Sequence, residues 1–139
     1  MIEDLFEAVS EMQVDGTKCR ALDGAKLDVR NADLPLRILV PVTEGEMSFV
    51  AIGTLSRIEW VLHDVCLWAP VVQGAGIRQY ARELVSYVAK YVTAIQGLRG
   101  PTDQSHITGI GISMGPIAWS QAEADYWGVD ITLTVEEFI

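Results

Sequence analysis

The chain has no run of ~20 apolar residues, so nothing in it has the length a helix needs to cross a bilayer. Its opening, MIEDLFEAVSEM, lacks the basic start and unbroken apolar stretch of a signal peptide, and no export by that route is expected. Cysteine is scarce: Cys19 and Cys66 make neither a disulfide framework nor a metal-ligand spacing, so both read as small thiols of the interior. Basic residues are missing from both ends. Residues 1–16 carry Glu3, Asp4, Glu7, Glu11 and Asp15 with no Lys or Arg, and residues 103–139 hold six acids and no base.

That charge distribution excludes a DNA-binding domain of the ordinary kind, which draws its affinity from clustered Lys and Arg neutralising phosphates. The ten basic residues are scattered between Lys18 and Arg99, and the formal charge is −9. An acidic surface instead suits a protein past which DNA must slide without sticking. What is present is an ordinary globular composition, 50% apolar and 21% charged, so an ordered chain is expected. At 139 residues it fits one domain, 1–139, with one core.

Ile2, Leu5, Phe6, Val9 and Met12 follow helical spacing, with acids on the rest of the surface, which predicts an amphipathic helix ending near Gly16. A short strand is expected around Lys18–Leu22. Three strand-like runs follow: Leu36–Val42, Ser48–Thr54 and Leu55–Ala69. The polar, Gly-containing Thr43-Glu44-Gly45-Glu46 between the first two reads as a hairpin turn. In the third run Ile58, Trp60, Leu62, Cys66 and Trp68 share one face, and Val61, His63, Val65 and Leu67 the other. Fully extended it would span ~50 Å, beyond the ~37 Å diameter of a compact chain this long. A bulge must interrupt it, or one end must project as an arm for a neighbouring subunit.

Ile77, Tyr80, Ala81, Leu84, Val88, Tyr91 and Ile95 trace a long helix of about 22 residues, with Gly97 and Gly100-Pro101 as the stop. His106–Ser113 and Pro116–Gln121 are strand candidates, and Val129–Val135 alternates most clearly. The links are mostly too short for βαβ crossovers. The fold class is therefore α+β: a mainly antiparallel, mixed sheet with an N-terminal helix and one long helix packed on it.

Chemistry-bearing motifs are thin. Gly111-Ile112-Ser113-Met114-Gly115 matches the G-x-S-x-G nucleophile elbow, but no helix follows it, and both histidines, His63 and His106, precede the serine. A Gly-kinked strand explains it better. Gly109, Gly111 and Gly115 miss the dinucleotide spacing, and too little chain remains for a βαβ unit. His63 and Asp64 are consecutive in a strand and point to opposite faces. Glu136-Glu137 and the pair Glu44 and Glu46 have no histidine beside them and read as solvated charge. No catalytic, metal or cofactor site is assembled by these patterns. Trp119, Tyr126 and Trp127, around the acidic turn Gln121–Asp125, and Trp68 are candidates for a protein interface, where Trp and Tyr are favoured anchors.

The acidic first helix, the Leu34-Pro35-Leu36-Arg37-Ile38 start of the first hairpin, the long strand feeding the Ile77–Ile95 helix and the closing Tyr126-Trp127-Gly128-Val129-Asp130-Ile131-Thr132-Leu133-Thr134-Val135 together resemble the tail-terminator proteins of long-tailed bacteriophages. More broadly they are similar to the small tail-completion and head–tail joining proteins. The resemblance covers most of the chain by size and element order rather than by a diagnostic motif. It implies a structural virion protein, not an enzyme, assembled in the host cytoplasm into a ring, commonly a hexamer. Such a ring ends the tail tube, contacts the tail tube protein and a head-completion or neck protein, and lets DNA pass through its lumen, with no membrane involved. On that reading Glu44 and Glu46 belong to a lumen-facing or inter-subunit loop, and Trp68, Trp119, Tyr126 and Trp127 to interfaces. The same order of elements fits a head-closure or tail-tube protein. The rival classes are a small serine hydrolase using Ser113 and a monomeric ligand-binding module with an aromatic pocket.

Overall fold

A computed structural model describes residues 2–14, 17–21, 34–49, 56–71, 76–98, 105–119 and 124–138. Helix α1 spans Ile2–Glu11, and Leu5, Val9 and Met12 on its apolar stripe are buried. Burying a side chain of this size contributes about 1.5–3 kcal/mol, which is what fixes the helix to the sheet. α1 stops at Glu11, and the Met12 N–H closes back onto the Val9 carbonyl at 3.2 Å.

Five strands follow: β1 (Lys18–Ala21), β2 (Leu36–Phe49), β3 (Ser56–Pro70), β4 (Ser105–Trp119) and β5 (Ala124–Phe138), with helix α2 (Ala81–Gly97) between β3 and β4. They form one sheet in the order β1-β2-β3-β5-β4. β1 pairs parallel with β2, and every other pairing is antiparallel. The chain is thus α+β, with a sheet that is mixed only at its β1 edge.

Three expectations are corrected. The stretch 43–46 is not a hairpin turn: β2 runs through it, placing Glu44 opposite Val61 and Glu46 opposite Glu59. The polar stretch is absorbed where the register shifts between Val40 and Glu44, an interval that contains Pro41. Proline cannot donate to a ladder and is tolerated at such irregularities. The expected Ser48–Thr54 strand contributes only its first residues to β2, the rest lying outside the described residues. Likewise the expected strands at 106–113 and 116–121 are one strand, β4.

The long third strand takes the bulge and not the arm. Its register with β5 shifts between Leu67 and Ala69, so Trp68 is the extra residue. From Arg57 to Pro70 it is paired with β5, and β2 flanks it from Ser56 to Leu67. Its neighbours are nearly as long, at 14 and 15 residues, so the whole sheet is elongated. Gly128 faces this bulge, and a Cβ there would collide with the Cys66 carbonyl, so no side chain fits.

The second helix is also shorter than its apolar stripe. Ile77–Gln79 forms a 3-10 turn, and α2 proper has 17 residues, ~25 Å at 1.5 Å per residue. Leu84, Tyr87, Tyr91 and Ile95 are its buried residues. They meet α1 and the sheet residues Leu39, Leu62, Cys66, Val129, Ile131 and Leu133 in one core. Both helices therefore lie on the same face. On the other face Leu36, Ile38, Val65, Leu67 and Tyr126 form a smaller buried cluster near one end of the sheet.

Candidate assembly surface

Strand alternation sends Leu36 and Ile38 to the helix-free face and Arg37 to the helix side. Arg37 is only 1% exposed, and its partner Asp64 on β3 is fully buried. The Arg37 Nε lies 3.1 Å from Asp64 Oδ2, and Asp64 Oδ2 also accepts a hydrogen bond from the Tyr91 hydroxyl of α2 at 2.7 Å. The two terminal nitrogens of Arg37 donate to the carbonyls of Met12, at 2.8 Å, and Val9. These carbonyls lie in the last turn of α1 and just past it, where the helical ladder runs out at its negative pole. The last turn of α1 carries no basic residue of its own, so the sheet supplies the cation. The guanidinium also lies 5.7 Å from the centre of the Tyr91 ring, within cation–π range.

Burial works against the Arg37 charge, but Asp64, helped by Cys19 and the tyrosines, more than offsets it and holds its pKa above the ordinary value. Burial pushes the Asp64 carboxyl upward, opposed by Arg37 and by the hydrogen bond from Tyr91. The same dry surroundings push the Cys66 thiol up to about 12 and raise the phenols of Tyr87 and Tyr91. A thiol held protonated in this way is inert. The network locks α1, α2 and two strands together and presents no group to solvent.

The helix-free face is different. Along β5 it shows Asp130, Thr132, Thr134 and Glu136, and along β4 Gly109, Gly111 and Ser113 opposite them. Among the described residues three on this face can carry positive charge near these positions: His63 and Arg57, each in contact with a carboxylate, and His106, which stands opposite Glu136 in the ladder. His63 Nδ1 lies 3.2 Å from Asp130 Oδ1, and Arg57 Nη1 lies 3.3 Å from Glu136 Oε2. Glu137, the next residue, turns to the helix side and accepts from the Trp60 indole at 2.9 Å, so the Glu136-Glu137 carboxylates do not act together.

Ser113 is exposed in the middle of β4, directly across from Asp130. It does not sit on a strand-to-helix turn. Serine, aspartate and histidine do share this face, but in the wrong order: Asp130 on β5 stands between Ser113 on β4 and His63 on β3. Adjacent strands are ~4.8 Å apart, so the imidazole lies about two strand spacings from the serine. It cannot take the hydroxyl proton, which a general base does from ~3 Å.

The aromatic candidates do not form one cluster. Tyr126 is 4% exposed and packs inside the chain with Leu36, Ile38, Val65 and Leu67, so it has no surface to offer a partner. Trp127, its strand neighbour, points to the opposite face, is half-buried, and has an indole N–H that is buried without an acceptor among the described residues. Trp68 packs its ring 5.8 Å from Tyr87 and donates to Glu83 Oε2 at 2.7 Å. It is engaged by its own chain. The side chain of Trp119 and those of Glu44 and Glu46 lie outside the described residues, although their backbones are placed in β4 and β2.

The apolar side chains that do face solvent went unnoticed in the sequence. Ile112 and Met114 on β4 are 48% and 45% exposed, and Val85 on α2 is 56% exposed. The signal was available: Ser105–Trp119 contains no Asp, Glu, Lys or Arg in 15 residues. Compared with known families and curated proteins, the chain matches no family model and no curated sequence.

Proposed function

We propose that this chain is a structural subunit of a long-tailed phage virion, a tail terminator whose copies form a ring that ends the tail tube and joins it to the head or neck. DNA passes through the lumen without sequence-specific contact. The observation that carries this reading is the two-sided sheet. Among the described residues both helices and the buried Arg37–Asp64 network lie on one side, and no helix covers the other side near Asp130–Glu136, where Gly, Ser and Thr stand among two ion pairs.

Such a face suits a DNA conduit. Phosphates bind where Lys and Arg are free to release counterions. Here Arg57 is matched by Glu136 and His63 by Asp130, and His106 stands across the ladder from the same Glu136, so positive charge on this part of the surface has carboxylates beside it. The formal charge of −9 per copy adds a repulsive field that keeps DNA from adhering. The function requires no chemical step, in keeping with the separation of Ser113 from His63.

The direct test is reconstitution. Purified protein is added to tails that lack a terminator, followed by filled heads, and infectious particles are counted. A rise in titre that depends on the protein supports the reading. No rise, with the protein folded and in excess, rejects it.

A further inference from the structure

This inference rests on the ring reading and concerns the surface through which one copy meets the next. β4 is an edge of the sheet, bonded to β5 on one side. Natural edge strands are blunted with charged residues so that they do not recruit other strands. β4 has none, and its exposed Ile112 and Met114 lie midway along it, on the helix side with Ile131 and Val129 as their partners. A bulge between Ile107 and Gly109 interrupts one end of β4 and Pro116 the other, and the uncharged, partly apolar stretch between them has the character of a strand that expects a neighbour.

The opposite edge starts with a strand that is basic. β1 carries Lys18 and Arg20 and no acid, whereas β4 has no Asp, Glu, Lys or Arg and β5 beside it carries Asp125, Asp130, Glu136 and Glu137 with no Lys or Arg. Two β4 edges brought together would juxtapose two base-free regions. β4 against β1 brings the basic strand beside the acidic β5, so the two-fold arrangement is disfavoured and the head-to-tail one favoured.

Strand direction agrees. β1 is parallel to β2, β3 is antiparallel to β2, β5 to β3 and β4 to β5, so β1 and β4 run in opposite senses. A second copy that continues the sheet in the same sense therefore presents its β1 antiparallel to β4, the stronger form of pairing. The geometry points to head-to-tail edge pairing between copies of this chain, with β4 of one copy zipped antiparallel to β1 of the next. Repeated by rotation, that heterologous contact closes a ring, with the four residues of β1 covering part of the β4 edge.

The native Cys19 makes this testable. It lies on β1 opposite Arg37, on the helix side, as do Ile110, Ile112 and Met114 on β4. Facing Cβ atoms of an antiparallel pair are ~4.5–5.5 Å apart, close to disulfide reach. Ile110→Cys, Ile112→Cys and Met114→Cys are each oxidised mildly, alone and on tail tubes, and run on non-reducing gels beside native mass measurement. Head-to-tail pairing gives, for at least one variant, a covalent ladder extending beyond the dimer that disappears when Cys19→Ser is added. Dimers alone that persist with Cys19→Ser mean β4 meets β4 and overturn the proposal. Rings without Cys19-dependent links overturn it while leaving the ring reading intact. A monomer under all conditions overturns both. As a second arm, Ile112→Lys with Met114→Lys should lower the assembled fraction ~10-fold or more, equivalent to ~1.4 kcal/mol, with an unchanged urea midpoint. Unaltered assembly in that variant would also reject the seam.

Discussion

Replacing Arg37 with methionine keeps an unbranched apolar stem and removes every donor. Three acceptors lose a donor at once: the Asp64 carboxylate, which keeps the Tyr91 hydroxyl, the Val9 carbonyl, which keeps the Met12 N–H, and the Met12 carbonyl just past α1. Breaking a buried ion pair by deleting one member costs about 3–5 kcal/mol, and each carbonyl left dry adds up to ~1–3 kcal/mol. Against a total stability of roughly 7–20 kcal/mol, taken at 0.05–0.15 kcal/mol per residue, a loss of at least ~3 kcal/mol is expected. With a urea m-value of ~1–3 kcal/mol per M, the midpoint should fall by ~1 M or more. Hydrogen exchange in α1 should rise, because the network holds the end of that helix. Since burial already pushes the Asp64 carboxyl upward, the orphaned acid can take a proton, and the deficit of the variant should shrink as pH falls. Adding Asp64→Leu removes the uncompensated charge and should restore part of the loss. A midpoint shift below ~0.3 M, or a double variant no better than the single, would refute the role given to Arg37.

Gly128→Ala should destabilise by ~1–3 kcal/mol or more, the usual cost of overpacking, because its Cβ has to displace the β3 backbone at the Cys66 carbonyl; wild-type thermal stability would contradict the close approach. Cys66, Tyr87 and Tyr91 all have folded-state pKa values above their ordinary ones. Their contribution is intact below about pH 9 and is lost as pH rises, since only the unfolded chain can ionise. With each such group adding ~1.4 kcal/mol per pH unit, stability measured from pH 8 to 11 should fall steeply, and a flat profile would sink the dry-core account. Thiol reagents at pH 8 should leave Cys66 unmodified until the chain unfolds. Glu44→Lys with Glu46→Lys should leave folding intact but impair assembly or DNA passage, and infectivity equal to wild type would remove both residues from the functional surface.

The sheet's inner surface was legible because alternation in an apolar strand has one reading: Val129, Ile131, Leu133 and Val135 are all buried on the helix side. The opposition of His63 and Asp64 was likewise fixed by the two-residue period of a strand. Glu44 and Glu46 misled because Thr-Glu-Gly-Glu has turn chemistry, yet the pairing available along β3 outweighed local preference. Arg37 and Asp64 left a signal that went unused: opposite charges embedded in apolar strands are costly unless they meet. Tyr126 and Trp127 are adjacent in sequence and were grouped together, although strand alternation alone places them on different faces. The outer edge of β4 was hidden for another reason. Strand order follows from long-range pairing, and no local pattern says which strand is last.

The ring itself is the claim on which the functional reading stands, and native mass measurement with negative-stain imaging, with and without tail tubes, tests it most directly. A closed cyclic oligomer, free in solution or formed at the end of the tube, is the predicted result. A monomer at every concentration that leaves tail tubes uncapped would contradict it.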